Sequence, residues 1–479
     1  MQRIKKLISI LILMTGDLSA LFASFLLASF MRTTLLIPFV SRFKTQEPLP
    51  LKTQLNLGFI YGAVIIILVL AFLKLYTKRF SFWDEARILL GGVTISFVLF
   101  MVLVFVSRQY IYFSRAVIVL AWLAGLFVFP FFRLVFKKII VKTGLITKRV
   151  LILGTNNTAR LVAQGILEDK TMGYEVVGFL AEEESAAADK ETGIKIAGTL
   201  SMLKKVSQEM DVKDFILVLP SLSQNELVKI IEECDEFAES IRIVPNIGSL
   251  FTLGVAVENF GDVMSLSLNR NLVRPWNILL KTIFEYILIV LLSILFLPVF
   301  LLLALLIRID SRGPVLFIQE RLGKNGRTFR FIKFRSMYIN CDQRLAMYLR
   351  KNPDKKEEWE KYQKIKERDP RVTRIGRFIR KFSLDEIPQL INVLKRDMNL
   401  VGPRPYLPRE KERIGKSYAF ISKIKPGITG LWQVRGRNLL PFKERILLDE
   451  FYIRNWSLWW DIVILFKTIR VLAKREGAF

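Results

Sequence analysis

The apolar run ILLKTIFEYILIVLLSILFLPVFLLLALLI, Ile278 to Ile307, decides the topology of this chain. It is longer than the roughly 20 residues a membrane-spanning helix needs, and Pro298 lies inside it. If it crossed a bilayer, everything after it would lie opposite everything before it. A proline removes one backbone hydrogen bond and clashes with the preceding turn, so a kink is expected there. A helix-break-helix that enters and leaves on one side would keep Lys281 and Arg308 on the same face. Irregular backbone at membrane depth must be covered by protein or reach water, and a shallow hairpin meets that condition. The proline alone leaves both readings open.

Upstream, four further apolar runs cover Leu7–Met31, Leu55–Leu75, Ile88–Val106 and Ala116–Leu134. Each is about long enough to span as a helix. The first is too long for a signal peptide and has no small-residue cleavage site. It contains Asp17, an intramembrane acid with no obvious basic partner in the sequence. Such an acid is a functional candidate by default, with packing or solvation as the plainer role. Basic residues cluster before run one, between runs two and three, and after run four, which places those segments in the cytoplasm. The stretch 32–54 is also basic and weakens the bias. An even number of spans leaves everything after Lys137 cytoplasmic.

The pattern then becomes that of an α/β domain. RVLILG, YEVVGFL and DFILVLP read as strands and VAQGILED as a helix, which implies a parallel, Rossmann-like sheet. The turn GTNNTA, Gly154–Ala159, keeps only the first glycine of a dinucleotide fingerprint. The domain is therefore expected to be degenerate, regulatory or structural, with nucleotide binding as the alternative. The expected division is a transmembrane domain over 1–140, the Rossmann-like domain over 146–250, and a third domain over 275–479 that includes the long apolar run. At the end of the chain, Trp456, Trp459 and Trp460 lead into an apolar stretch spaced with Lys and Arg. That suits a helix at the headgroup level, against the alternative of an ordinary core helix.

The 479 residues carry 71 Lys+Arg against 43 Asp+Glu, a net charge of +28. Mean hydropathy is +0.36. Partners of such a chain are acidic: nucleic acid, anionic lipid or phosphorylated substrates. The membrane runs give a nucleic-acid binder no purpose, so none is expected, whereas anionic membrane lipids are. The chain has 0 His, which removes the commonest general base and transition-metal ligand. Cys234 and Cys341 are its 2 cysteines, too few and too scattered for a disulfide framework or a zinc site. Chemistry falls to carboxylates, hydroxyls and lysines, and any metal is a hard cation on oxygen.

One stretch supplies such carboxylates: KFSLDEIPQL, Lys381–Leu390. The plain reading is a capping box, Ser383 as N-cap and Glu386 reaching back. Pro388 would then sit inside the first turns, where its missing N–H is a cost. If the helix starts at Pro388 instead, Asp385 and Glu386 lie just before its N-terminus, where the dipole favours their charge. Adjacent residues point apart, so one acid could attack while the other holds a cation. Around them lie Arg327, Arg330, Lys333 and Arg335, then Arg374, Arg377, Arg380 and Lys381, then Gly402, Pro403 and Arg404 of NLVGPRP, then Arg435 and Arg437 of GLWQVRGRN. Arginine is the fork-shaped phosphate binder, and the Gly and Pro beside several of these suggest fixed loops. Without His, a carboxylate nucleophile on phosphorus with Mg²⁺ is the most natural chemistry left.

The blocks SRGPVLFIQERLGKNGRTFRFIKFRSM, RIGRFIRKFSLDEIPQLINVLKRDMNLVGPRP and KPGITGLWQVRGRN resemble the bacterial polyprenyl-phosphate sugar-1-phosphate transferases, monotopic phosphoglycosyl transferases. The resemblance runs from about Asn277 to the C-terminus. The four upstream runs and degenerate α/β domain resemble the large form of that family. The stretches WEKYQKIKERDPRVTRIG and NWSLWWDIVILFKT and the terminal GAF look most like undecaprenyl-phosphate galactose phosphotransferases.

The resemblance implies a membrane protein of α plus α/β class, with four N-terminal transmembrane helices, a Rossmann-like middle domain and a re-entrant helix carrying a mainly helical catalytic domain. It favours the re-entrant reading of Ile278–Ile307. It places the protein in the bacterial inner membrane with its catalytic domain on the cytoplasmic face. It implies transfer of a hexose-1-phosphate, galactose first, from a UDP-sugar to undecaprenyl phosphate, opening O-antigen, capsule or exopolysaccharide assembly. Asp385 would be the nucleophile and Glu386 the residue associated with Mg²⁺. Lys333, Arg335, Arg380 and Arg404, in its Gly402-Pro403 turn, would contact the diphosphate or adduct, and Arg435 and Arg437 a nucleotide or lipid phosphate. Where the family often has a Ser-Pro break, this chain has Leu297-Pro298, and where it often has Asp, this chain has Glu285. A homodimer is compatible with so large an assembly. The rival is a membrane-bound NAD-dependent nucleotide-sugar dehydratase or epimerase, for which Tyr362 and Lys366 give the Tyr-x-x-x-Lys spacing. No glycine-rich turn follows Asn277 to bind NAD. A non-catalytic scaffold would have no need of the intact acid pair.

Overall fold

The computed structural model describes residues 2–36, 51–107, 114–145, 147–182, 193–244, 255–260, 263–268, 272, 274–352, 369–436 and 440–474. The Tyr362–Lys366 pair and Arg437 lie outside these. The chain divides into two compact units, Met1–Asn246 and Ile247–Phe479.

In the first unit, the four apolar runs are helices Gln2–Met31, Leu51–Phe72, Phe82–Val106 and Arg115–Lys142. Leu7–Thr34, Phe82–Val106 and Arg115–Lys142 are long and apolar enough to cross a membrane, and the second helix contributes a shorter apolar length, Gly58–Phe72. They bury one another through Phe25, Ala28, Leu70, Leu89, Phe97 and Phe129. Phe30, Leu68, Phe72, Phe105 and Phe127 remain exposed on the outside, a surface suited to lipid rather than water. Asp17 does have a basic partner. Arg133, near the end of the fourth helix, meets its carboxylate at 2.8 Å and Glu85 at 2.8 Å. Lys137 also pairs with Glu85, and the Tyr76 hydroxyl donates to Asp17 at 2.8 Å. Asp17, Glu85 and Arg133 are all buried. Buried charges persist only when paired and hydrogen-bonded in this way.

The remainder of this unit is the expected α/β domain. Five parallel strands, β1 (Lys148–Leu153), β2 (Tyr174–Ala181), β3 (Ile196–Thr199), β4 (Asp214–Leu217) and β5 (Ser240–Ile243), lie in the order β3-β2-β1-β4-β5. Every residue of β4 is buried, and β1 is buried from Val150 onward, as near-continuous apolar runs demand in a sheet covered on both faces. After β1, Asn156 caps helix Asn157–Glu168 by accepting from the Ala159 amide, and its Nδ2 donates to the Val218 carbonyl at 2.7 Å. The crevice turn is thus laced shut by an asparagine where a dinucleotide fingerprint has glycine.

The second unit begins with the hairpin β6 (Val255–Phe260) and β7 (Val263–Leu268). The decisive apolar run follows as one helix, Pro275–Asp310. It stays helical through Pro298 with no non-helical residue, so the expected break is corrected to a continuous helix, which a proline can bend without interrupting. The ring deletes one hydrogen bond, and the ladder on either side is long enough to survive that loss. The helix is held at its ends and not in its middle. Lys281, Glu285 and Ile289 are buried toward its start, Leu303 and Ile307 toward its end, and nothing between them is. Ile289 packs with Val393, Leu400 and Val401, while Leu303 and Ile307 pack with Phe334 and Ile379. Both ends therefore rest on the same compact unit.

Its start is fixed by a buried ionic cluster. Lys281 Nζ reaches Glu285 at 2.7 Å and Asp461 at 2.7 Å. Tyr452 and the Trp456 indole both donate to Asp461, at 2.6 and 2.9 Å. Trp456 is thus core, because its N–H finds a buried carboxylate. Trp459 and Trp460 are half-buried, and helix Leu458–Lys474 leaves Phe466 and Ile469 exposed.

Candidate active site

The acid pair is brought to a basic hairpin by one buried amide. Strands β8 (Leu316–Leu322) and β9 (Thr328–Phe334) pair antiparallel. Asn392, on helix Gln389–Leu394, accepts from the Ile332 amide at 3.1 Å and donates to the Arg330 carbonyl at 2.7 Å. That pins the dyad helix against the strand carrying Lys333. The helix starts at Gln389 with Pro388 before it, so both acids precede its N-terminus. They sit in a single 3₁₀ turn, Leu384–Glu386. The capping box is not formed. Ser383 has φ +53° and makes no side-chain cap. This left-handed conformation costs a non-glycine residue about 1–2 kcal/mol, and strain held beside a reactive pair is a mark of functional sites.

Lys333 Nζ lies 2.8 Å from Glu386 Oε1 and 3.8 Å from Asp385 Oδ2. The Asp385 side chain is 15% exposed and that of Glu386 34%. Burial raises the Asp385 carboxyl above its ordinary range. Lys333 opposes that rise, Glu386 adds to it and Arg380 again opposes it. Arg380 is positioned by helix Arg374–Lys381, whose first turn Thr373 caps at 2.8 Å. Its Nε donates to the Ser336 hydroxyl at 2.8 Å. A side chain at Gly376 would collide with the Ser336 carbonyl, so glycine there permits the approach that brings Arg380 beside the acids. Arg335 points elsewhere. It is buried and donates to the Ser311 carbonyl at 2.6 Å and the Arg312 carbonyl at 2.9 Å, holding the chain as it leaves the long helix.

The NLVGPRP loop follows β10 (Asn399–Val401), which pairs with β11 (Gly427–Thr429). A Cβ at Gly402 would stand 2.8 Å from the Gly427 nitrogen, so the two backbones can cross only with glycine there. The Pro403 carbonyl accepts from Gly427 at 2.8 Å. The Arg404 amide donates to Asp449 Oδ2 at 3.1 Å, and Tyr406 donates to the same oxygen at 2.8 Å. The Arg404 guanidinium lies over the Trp432 ring at 5.4 Å, with Arg445 at 5.2 Å from the same ring. Asp449 is fully buried, which pushes its carboxyl up to about 7 against those hydrogen bonds. Arg435 is exposed at the end of helix Leu431–Arg435.

Asn392, Asp449 and Trp432 escape sequence reading. Each looks like an ordinary residue of a helix or strand, and only the Arg-Gly-Pro punctuation nearby marks the region. Among the described residues no three His, Cys, Asp or Glu side chains converge on a cation site. Mg²⁺ is commonly held by one or two carboxylates completed by substrate phosphates. The two acids, Glu386 the more open, fit that mode.

Residues 276–475, which carry this whole cluster, match the family described as "Bacterial sugar transferase". Across the longer chain, 447 residues are 34% identical to the undecaprenyl-phosphate galactose phosphotransferase of Salmonella typhimurium, covering 92% of this chain and 91% of that one. This chain belongs to the bacterial sugar transferase family. It is 34% identical over 409 residues to the UDP-galactose-lipid carrier transferase of Erwinia amylovora, 85% of each chain. It is 33% identical over 349 residues to the undecaprenyl-phosphate glucose phosphotransferase of Komagataeibacter xylinus, covering 70% of this chain and 61% of that one. Residues 71–245 match the family described as "CoA-binding domain". The protein is accordingly a membrane-associated sugar transferase with long apolar helices and an α/β domain.

Proposed function

We propose that this transferase moves a hexose-1-phosphate from a UDP-sugar to undecaprenyl phosphate, releasing UMP, as the first step of a surface-polysaccharide assembly. The observation that carries the reading is the half-open Asp385–Glu386 pair against Lys333, with Arg380 close enough to act on Asp385. An Asp385 oxygen attacks the sugar-bearing phosphorus. The bond from that phosphorus to the bridging oxygen breaks, and UMP leaves with the electron pair. An oxygen of the lipid phosphate then attacks the phosphoryl-aspartate, restoring the carboxylate and leaving a lipid diphosphate sugar. Burial that raises the Asp385 carboxyl makes the carboxylate a better nucleophile, and Lys333 keeps it ionised. Arg380 and Arg404 are the natural partners for phosphate oxygens. Arg335 positions the loop after the long helix, and Arg435 and Arg437 lie in the block next to Trp432. Glu386, with Asp385, would hold Mg²⁺, which supplies charge neutralisation at the diphosphate when bound.

Both ends of helix Pro275–Asp310 packing on one unit, with an exposed apolar middle, supports a re-entrant helix that returns to its side of entry. With that reading, the catalytic domain, the α/β domain and the basic segments all face the cytoplasm of the bacterial inner membrane. Galactose is favoured as the sugar because two relatives that align along most of this chain carry that sugar in their names. Glucose is the second reading, from the Komagataeibacter relative.

The test is UMP release by the purified full chain in nanodiscs, with Mg²⁺ and a panel of UDP-sugars, with and without undecaprenyl phosphate. Turnover from UDP-galactose that requires the lipid is the expected result. A ternary-complex rate law with no radiolabelled sugar phosphate on the enzyme would sink the covalent step.

A further inference from the structure

The hairpin that presents Lys333 presents a second cation on the same face. In the β8–β9 register Phe317 pairs with Lys333, Gln319 with Phe331 and Arg321 with Phe329. Directly opposed and alternate residues share a face, so Arg321, Gln319, Phe331 and Lys333 form one row. The geometry bears this out. Arg321 lies 5.3 Å from the centre of the Phe331 ring and Lys333 lies 5.4 Å from the same centre. At its other end Arg321 donates to the Pro405 carbonyl at 3.1 Å, the residue after Arg404. It therefore bridges the hairpin that carries Lys333 and the loop that carries Arg404.

Its charge is not matched where it sits. Its two short contacts are to neutral acceptors, Pro405 O and Gln319 Oε1 at 2.8 Å. Its Nε is buried with no hydrogen-bond partner, and among the described residues it forms no ion pair. Burial lowers its pKa to about 10. Arg404 and Arg409 push the same way, and the carboxylates of Glu410 and Glu386 oppose them. Packing on Phe331 and holding a carbonyl need no charge, and a neutral side chain would avoid the desolvation cost. A guanidinium kept here beside a second arginine has the character of a site completed by an anion.

We propose that Arg321 binds a substrate phosphate, acting with Arg404 on the side of the site away from Lys333. The inference rests on the reaction proposed above, which supplies two candidates of the same chemistry: the phosphate of the leaving UMP and that of the acceptor lipid. Both are phosphate monoesters that a guanidinium fork can take through two N–H groups.

The experiment is a binding titration of the full chain in nanodiscs with UMP and, separately, farnesyl phosphate, with uridine and farnesol as phosphate-free controls. Arg321→Gln is expected to weaken one phosphate probe about tenfold or more, the effect of losing a charge-assisted hydrogen bond. Affinity for the two controls should stay the same, and so should the melting temperature within a few degrees. The probe that weakens identifies the phosphate. Arg321→Lys, which keeps the charge and loses the fork, should weaken the same probe by a smaller factor, and it carries the test if the glutamine variant does not fold. Equal affinity of the wild type and both variants for both probes overturns the proposal. So does a loss shared equally by the phosphate-free controls, or a wild type that binds neither probe. Failure of the proposed reaction is a different result, a folded wild type that releases no UMP from any UDP-sugar, and the titration does not depend on it.

Discussion

The second unit contains the same chemical group twice. Lys281 with Glu285 and Asp461, and Lys333 with Asp385 and Glu386, are each one lysine between two carboxylates. In the first, the side chains are 3%, 5% and 0% exposed, and Tyr452, Trp456 and the Val401 amide donate to the carboxylates. In the second, they are 26%, 15% and 34% exposed, and Asp385 has its lysine only at 3.8 Å. The closed cluster roots a membrane helix. The open one has capacity left for a ligand. The residue types are identical, and completeness of solvation by protein separates the sealed cluster from the open one proposed as reactive.

The largest effects should fall in opposite observables. Asp385→Asn should lower UMP release by about 10³-fold or more, as removal of a nucleophile does, without lowering the melting temperature. Its carboxyl is raised in the fold, so the ionised form is more favourable unfolded. Stability is lost as pH rises past the unfolded value, and the neutral amide removes that loss at neutral pH. A lower melting temperature in this variant would mean that the open cluster is structural after all. Lys281→Met should do the reverse, destabilising the unit by about 3–5 kcal/mol, the typical result of stranding a buried charge, as read by thermal unfolding in detergent. Surviving protein should keep the chemistry.

Next in size, Lys333→Met should reduce kcat by about 10²-fold, the scale of losing one preorganised electrostatic contact. Lys333 holds the Asp385 pKa down, so its removal should also move the acid limb of the pH–rate profile to higher pH. An unshifted limb would separate the lysine from the nucleophile. The smallest effect belongs to Asp449, which lies under Arg404. Its carboxyl rises to about 7 from 3.8, so its contribution to stability declines as pH rises between those values. In Asp449→Asn the melting temperature should depend less steeply on pH across that window.

Much of this was legible in the chain. The apolar runs became helices, the fourth ending at Lys142, beyond the Leu134 read from the sequence, and RVLILG, YEVVGFL and DFILVLP became neighbouring strands, because each is a local pattern of period and propensity. The acid pair and its basic blocks were legible too, since Gly and Pro punctuate them. The sequence mispaired what was distant. Asp17 shows no basic partner nearby in the sequence, yet it pairs with Arg133, 116 residues away. Ser383 read as a cap, yet its backbone turns left-handed. Arg335 read as a phosphate ligand, yet it lies just past the end of β9, where its fork holds the two backbone carbonyls of Ser311 and Arg312.

What the sequence determined by itself is therefore the inventory: which segments are apolar enough for lipid, which strands lie buried on both faces, and which acids could attack phosphorus in a chain without histidine. These follow from composition and short-range spacing. Only the tertiary structure decided which charges meet, which lysine cluster is sealed and which is open, and that both ends of a proline-bearing helix pack on one unit. Those depend on long-range packing and on how completely each buried charge is solvated by groups far away in the chain, which no local pattern records.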